Sequence, residues 1–258
     1  MTYCQGQSRS RRLLLRQAKP ETARPRSSSL FVLTIVRILA LETSSRNSRI
    51  ALLDGSALLR EVELDRTQRT TQTLVPGIQQ LMQDIGWTPR QLQLVAVTIG
   101  PGSFTGLRIG VTTAKTLAYA VGADVIGVNT LTAIAEQTDR RPVWAVVDAQ
   151  RKQLFAALFA GREDAAAHER TQIVDNGAWL DGLTASVSVT GPGLAKLVDL
   201  IPTGTPVVDQ QLWHPQAATI GRLGWSYYQA GRRDDLWRLL PAYGRQSAAE
   251  EKKQRGSG

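Results

Sequence analysis

Past residue 36 the chain alternates short apolar runs with longer amphipathic ones. The runs at 37–43, 49–54 and 58–64 are too short for ordinary helices and rich in Leu, Ile and Val, which predicts three successive strands. Over 71–85 the residues Leu74, Ile78, Leu81 and Ile85 fall at offsets of 0, 4, 7 and 11, the repeat of one apolar helix face. A strand over 94–99, a Gly-rich turn, a helix over 104–121, a strand over 125–128 and a helix over 130–137 follow. Strands alternating with helices predict an α/β protein.

The plan then repeats. Leu39-Ala40-Leu41-Glu42, with a second apolar strand behind it, is echoed by Ala145-Val146-Val147-Asp148 followed by Leu154. Val97-Thr98-Ile99-Gly100-Pro101-Gly102 is echoed by Val189-Thr190-Gly191-Pro192-Gly193, each leading into a helical pattern. Two α/β halves joined near Asp139 to Pro142 are predicted, with Glu42 and Asp148 at the mouths of facing sheets and both Gly-Pro-Gly turns bordering the cleft.

The densest motif is Gly100-Pro101-Gly102-Ser103-Phe104-Thr105-Gly106-Leu107-Arg108-Ile109-Gly110. A helix beginning after such a turn offers unpaired amides to an anion, though the same glycines also suit a plain tight turn. Gly106, Gly110, Ala114 and Ala118 recur every fourth residue. Glycine there costs about 1 kcal/mol relative to alanine, so something must approach that stripe closely, either the chain's own sheet or another helix.

Composition narrows the chemistry. Lys plus Arg is 31 against 22 for Asp plus Glu, a net charge of +9. Arg9, Arg11, Arg12, Arg16, Lys19, Arg24 and Arg26 supply most of that excess from residues 1–36, predicted to be a disordered basic extension. One cysteine, Cys4, permits no intrachain disulfide and suits a reducing cytoplasm. The two histidines, His168 and His214, are too far apart for a helical zinc motif, and no serine has a histidine partner, so a peptidase lacks its parts. The apolar run at 30–41 is short and broken by Arg37, so no membrane span is expected.

Glu42 with Thr43 and Ser44, and Asp148 opposite, could coordinate magnesium and phosphate, as strand-end acids do in nucleotide clefts. Neither acid is followed by the glycine that would admit a phosphate to the backbone. Arg232, Arg233, Arg238, Arg245, Lys252, Lys253 and Arg255, interleaved with Trp237 and Tyr243, could meet RNA or form a solvated tail.

The residues 37–44, Gln72-Thr73-Leu74-Val75-Pro76, the run from Gly100 to Gly110, Ala114-Lys115-Thr116-Leu117-Ala118 and Gly127-Val128-Asn129-Thr130-Leu131 together resemble the bacterial TsaB family of tRNA threonylcarbamoyladenosine biosynthesis proteins. The likeness covers about residues 36–250. It implies the duplicated actin-like ATPase (ASKHA, ribonuclease H-like) fold, with similar lobes at 37–138 and 139–245 and a basic flexible tail at 246–258. Because Val36 stands where family members begin, it also implies a start at that residue.

The same resemblance implies a scaffold without catalytic residues, working in the cytoplasm and away from membranes. Its partners would be a TsaD-like catalytic homologue, a TsaE-like ATPase, tRNA through the complex, and a second copy in a homodimer. No intrinsic cofactor or metal is expected; ATP with Mg, and Zn or Fe, would belong to the partner subunits. The partner surface would use the two helices of the first half, through Leu74, Ile78, Leu81, Ile85, Gly106, Leu107, Gly110, Val111 and Ala114. Glu42, Thr43, Ser44, Gly100, Gly102, Ser103 and Asp148 would line a vestigial cleft. The alternative is an actin-fold ATPase or kinase acting by itself.

Overall fold

The computed structural model describes residues 1, 35–161 and 171–242. Cys4, the basic extension up to residue 34, His168, Tyr243 and the basic residues from Arg245 onward lie outside them.

The first half forms β1 (Arg37–Glu42), β2 (Arg49–Asp54), β3 (Ala57–Glu63), α1 (Thr70–Ile85), β4 (Leu94–Gly100), α2 (Phe104–Val121), β5 (Asp124–Asn129) and α3 (Thr130–Ala135). Its sheet runs β3-β2-β1-β4-β5, with β1, β4 and β5 parallel and the β1-β2-β3 meander antiparallel. Near-continuous apolar strands such as Ile38 to Leu41 mean that both faces are covered. Leu39, Leu41, Val95 and Val97 face Leu74, Ile78, Leu81, Val111 and Ala114 of α1 and α2, while Ile38, Ala40, Leu94 and Ala96 face the opposite way.

That opposite face is covered by α5 (Ala217–Gln229), a helix far along the chain that the sequence reading did not identify. Its face of Ala217, Ile220, Gly221 and Gly224 has helical spacing and small residues, and a Cβ on Gly224 would lie 2.6 Å from that of Ala96. Residues 217–229 therefore complete the core of the first sheet although they follow the second.

The second half contains β6 (Val143–Gln150), β7 (Gln153–Phe159), β8 (Gln172–Asp175), α4 (Asn176–Asp181) and β9 (Ser188–Thr190), in the sheet order β8-β7-β6-β9. A parallel bridge from Val189 to Val207 extends it where β5 stands in the first half. The strand plan is thus repeated, and the short α4 follows β8 as α1 follows β3, but the helix after the Gly-Pro-Gly turn is not repeated. The second Gly-Pro-Gly turn leads into short 3₁₀ segments, Pro192–Lys196 and Val198–Leu200, instead of the expected helix. Leu194, Leu197 and Leu200 recur every third residue, the 3₁₀ period, and Pro202 follows closely.

The halves are stitched at the junction. Gln137 donates from Nε2 to the carbonyls of Leu212 (2.7 Å) and His214 (2.9 Å) and accepts from the Gln216 amide (2.6 Å), and Arg141 pairs with Glu136 at 2.8 Å. Beyond α5 the chain straps the free edge of β5: Asp234 accepts from the Gly127 amide (2.7 Å), Lys115 donates to the carbonyls of Trp237 and Leu239 (both 3.1 Å), and the Ala242 amide donates to Ile99 O (2.7 Å).

Candidate functional site

The end of β1 and the start of α2 meet face to face. Ser103 caps α2, its Oγ accepting from the Gly106 amide at 3.2 Å. The Ser103 amide donates to Ser44 O at 2.7 Å. A Cβ on Gly102 would lie 2.5 Å from that same oxygen, and Cβ atoms on Gly106 and Gly110 would overlap Thr43 O and Thr43 Oγ1. The small-residue stripe thus exists so that the exit of β1 can press against α2. The Thr43–Ser44 segment thus covers the flank of α2 at Gly106 and Gly110 and takes the amide of its N-cap, Ser103.

Glu42 is fully buried at this junction. Its Oε1 accepts from the Ser44 amide (2.7 Å) and from the Ser44 hydroxyl, while Oε2 has no hydrogen-bond partner. Burial raises its pKa from 4.5 to about 7, against the lowering effect of the Ser44 hydrogen bonds and the Arg49 charge; Glu61 raises it slightly. A carboxyl in that state, closed off from solvent, is a poor holder of a hydrated cation.

Asp148, its counterpart on β6, has a different environment. One oxygen accepts from the Gln150 amide at 2.7 Å and the other pairs with the exposed Lys196 at 3.2 Å. Gly191, in the second Gly-Pro-Gly turn, packs so tightly on the backbone of Val146 that a Cβ would overlap its carbonyl oxygen. Each half thus presses a glycine of its turn onto a neighbouring backbone, at Ser44 beyond β1 in the first and at Val146 within β6 in the second. Of the residues proposed for the cleft, Glu42, Thr43, Ser44, Gly102 and Ser103 meet at this junction through packing and hydrogen bonds, Gly100 faces Ala242 and Leu107, and Asp148 pairs with Lys196. Among the described residues no group of three or more His, Cys, Asp or Glu side chains could hold a metal ion.

The expected partner surface needs correction. Leu74, Ile78, Leu81, Leu107, Val111 and Ala114 are buried in the first core, Gly106 and Gly110 are covered by Thr43, and Ile85 is half-buried. Helical periodicity showed which face is apolar; the chain's own sheet covers it. The outward face carries other residues, among them Val75 (58% exposed) on α1 and Tyr119 (68% exposed) on α2. Tyr119 meets Trp237 of the C-terminal strap edge-on at 5.5 Å. Between α2 and the strap lies a groove of about 320 Å³ lined by Thr112, Lys115, Thr116, Tyr119, Leu236 and Trp237. The outward helical position of Tyr119 was readable in the sequence, whereas its pairing with Trp237 depends on the strap.

Residues 65–194, half of the chain, match the protein-family profile described as TsaD, tRNA N6-adenosine threonylcarbamoyltransferase. The tRNA threonylcarbamoyladenosine biosynthesis protein TsaB of Bacillus subtilis is 32% identical over 124 residues, covering 47% of this chain and 54% of that protein. Its Escherichia coli namesake is 31% identical over 144 residues, covering 54% and 62%. The chain thus aligns with little more than half the length of these curated relatives. A Pseudomonas aeruginosa crystal structure, described as an uncharacterized protein with similarity to the peptidase YeaZ, superposes with a TM-score of 0.70 at 22% identity, over 82% of this chain and all of that one. That likeness is one of fold, the duplicated actin-like architecture. The sequence matches go further, and the chain belongs to the family described as TsaD, tRNA N6-adenosine threonylcarbamoyltransferase, in which the relatives it matches by name are TsaB proteins.

Proposed function

We propose that this chain is a non-catalytic scaffold of tRNA threonylcarbamoyladenosine modification, pairing with a TsaD-like subunit that transfers threonylcarbamoyl to the adenosine next to the anticodon. The observation that carries this reading is the closed junction at the end of β1. Thr43 and Ser44 pack on the first turns of α2 and Glu42 is buried with its Oε1 taken by Ser44, which supports a strand end used for packing and not for holding a hydrated magnesium ion. In this account ATP, magnesium and any zinc or iron are held by the TsaD-like and TsaE-like partners, and this chain contributes a surface. The names of the matched relatives support the pathway.

The surface assigned in this reading is the outward face of α1 and α2, which exposes Val75, Phe104 and Tyr119 and whose helices carry Asp84, Arg108 and Lys115 as their charges. Exposed aromatics are among the residues that dominate binding when they become desolvated. Val75→Asp combined with Tyr119→Asp should weaken pairing with the TsaD-like subunit by about 30-fold or more while leaving the circular dichroism spectrum unchanged. Ile78→Asp, by contrast, should unfold the monomer, because Ile78 is 6% exposed inside the first core. Undiminished co-elution of the folded double variant would place the docking face elsewhere.

A further inference from the structure

The hairpin joining β6 to β7 is built from residues that fit it poorly. Gln150 pairs with Gln153 and closes a two-residue loop, Arg151-Lys152. Gln150, Arg151 and Lys152 have φ of 64°, 55° and 59°, three consecutive non-glycine residues in the left-handed region. Two-residue hairpin loops with positive φ are ordinarily Asn-Gly or Asp-Gly, because a Cβ disfavours that conformation. Local contacts hold the backbone in place: Asp148 accepts from the Gln150 amide and the Lys152 carbonyl accepts from the Asn176 amide at 2.9 Å. Side chains retained at an unfavourable backbone position point to a use for those side chains.

Both loop side chains are exposed cations, and a third, Lys196, lies beside the loop on Asp148. The tip reads Gln-Arg-Lys-Gln and offers no apolar side chain. A protein partner would want an apolar or aromatic anchor at such a point. Phosphodiester groups need only Arg, Lys and Gln.

We propose that the Gln150–Gln153 hairpin tip is an RNA contact, with Arg151 and Lys152 neutralising backbone phosphates. Resting on the scaffold reading above, the RNA would be the tRNA being modified. The binding itself is read on the isolated chain and needs no partner, so its failure is distinct from failure of the scaffold.

The test is tRNA binding by the full chain over a range of salt concentrations, with two double variants. Arg151→Asn with Lys152→Gly gives the loop its preferred residues and removes both charges; Tm should rise by about 4 °C. Affinity for tRNA at low salt should nevertheless fall about tenfold, and the slope of log K against log salt should shrink by roughly 1.5. Arg151→Gln with Lys152→Gln should weaken binding equally without the gain in Tm. Unchanged tRNA affinity in both variants, or loss of pairing with the TsaD-like protein in place of tRNA affinity, would overturn the proposal. So would an Asn-Gly loop that fails to raise Tm, since the argument starts from the strain.

Discussion

Glu42→Gln should raise stability by less than about 1 kcal/mol near pH 5 and by about 3 kcal/mol above pH 8. The folded-state pKa of about 7 lies above the ordinary 4.5, so between those values the native state holds a proton that the unfolded chain has lost. Stability from this group is therefore full below pH 4.5, declines as pH rises through the window, and stays at its lower level above about 8. A displacement of that size corresponds to about 3 kcal/mol. Glutamine keeps the carbonyl oxygen that accepts from the amide and hydroxyl of Ser44, and it has no charge to bury. Urea unfolding at pH 5 and pH 8 for both proteins gives the comparison directly. An equal difference at both pH values would mean that the carboxyl is ionised in its buried position, and the closed-junction picture would need a compensating charge that Arg49 alone does not supply.

Gly106 and Gly110 should behave differently from each other, though both underlie Thr43. Alanine at a helix interior position gains up to about 1 kcal/mol over glycine from propensity. At Gly106 the new Cβ meets the backbone oxygen of Thr43, which cannot move without shifting the end of β1. Overpacking of that kind costs about 1–3 kcal/mol or more, so Gly106→Ala should lose about 2 kcal/mol net. At Gly110 the obstacle is the Thr43 side chain, whose Oγ1 is buried without a hydrogen-bond partner. Gly110→Ala should therefore be rescued by Thr43→Ala, while Gly106→Ala should not. A double-mutant cycle on denaturation midpoints separates the two cases. Rescue of both variants by Thr43→Ala would show that the backbone at the end of β1 yields, against the tight junction described above.

Much of the fold was legible because its signals are local. β2 and α2 fall at the residues the sequence indicated, Arg49–Asp54 and Phe104–Val121, since an apolar run between polar ends and a helix between Ser103 and Gly122 define their own limits. The duplication was legible in the strands for the same reason. The end of the second Gly-Pro-Gly unit was not, because leucines spaced by three satisfy a rough helical pattern while belonging to 3₁₀ turns. α5 was missed because its packing partners, Leu53 and Ala96, lie more than a hundred residues earlier.

The candidate site shows a second kind of limit. The Gly-Pro-Gly motif and the stripe of Gly106 and Gly110 announced a close approach, and the structure supplies one, from Thr43 and Ser44. Nothing in the residues distinguished a carbonyl oxygen of the chain from a phosphate oxygen of a ligand, as both satisfy the same amides. Similarly, Leu74, Ile78 and Leu81 revealed an apolar face, but burial by the chain's own sheet is a long-range fact. The groove beside Tyr119 depends on a strap that Lys115 helps to hold through the carbonyls of Trp237 and Leu239, more than a hundred residues away.

The central claim, that this chain supports modification without performing it, is tested most directly by assaying threonylcarbamoyladenosine formation on unmodified tRNA. The assay compares this chain alone, the TsaD-like and TsaE-like partners alone, and all of them together, with ATP and the threonylcarbamoyl donor present throughout. The account predicts product in the complete mixture, loss of most of that product when this chain is omitted or carries Val75→Asp with Tyr119→Asp, and none from this chain alone. Product formed by this chain alone would contradict it.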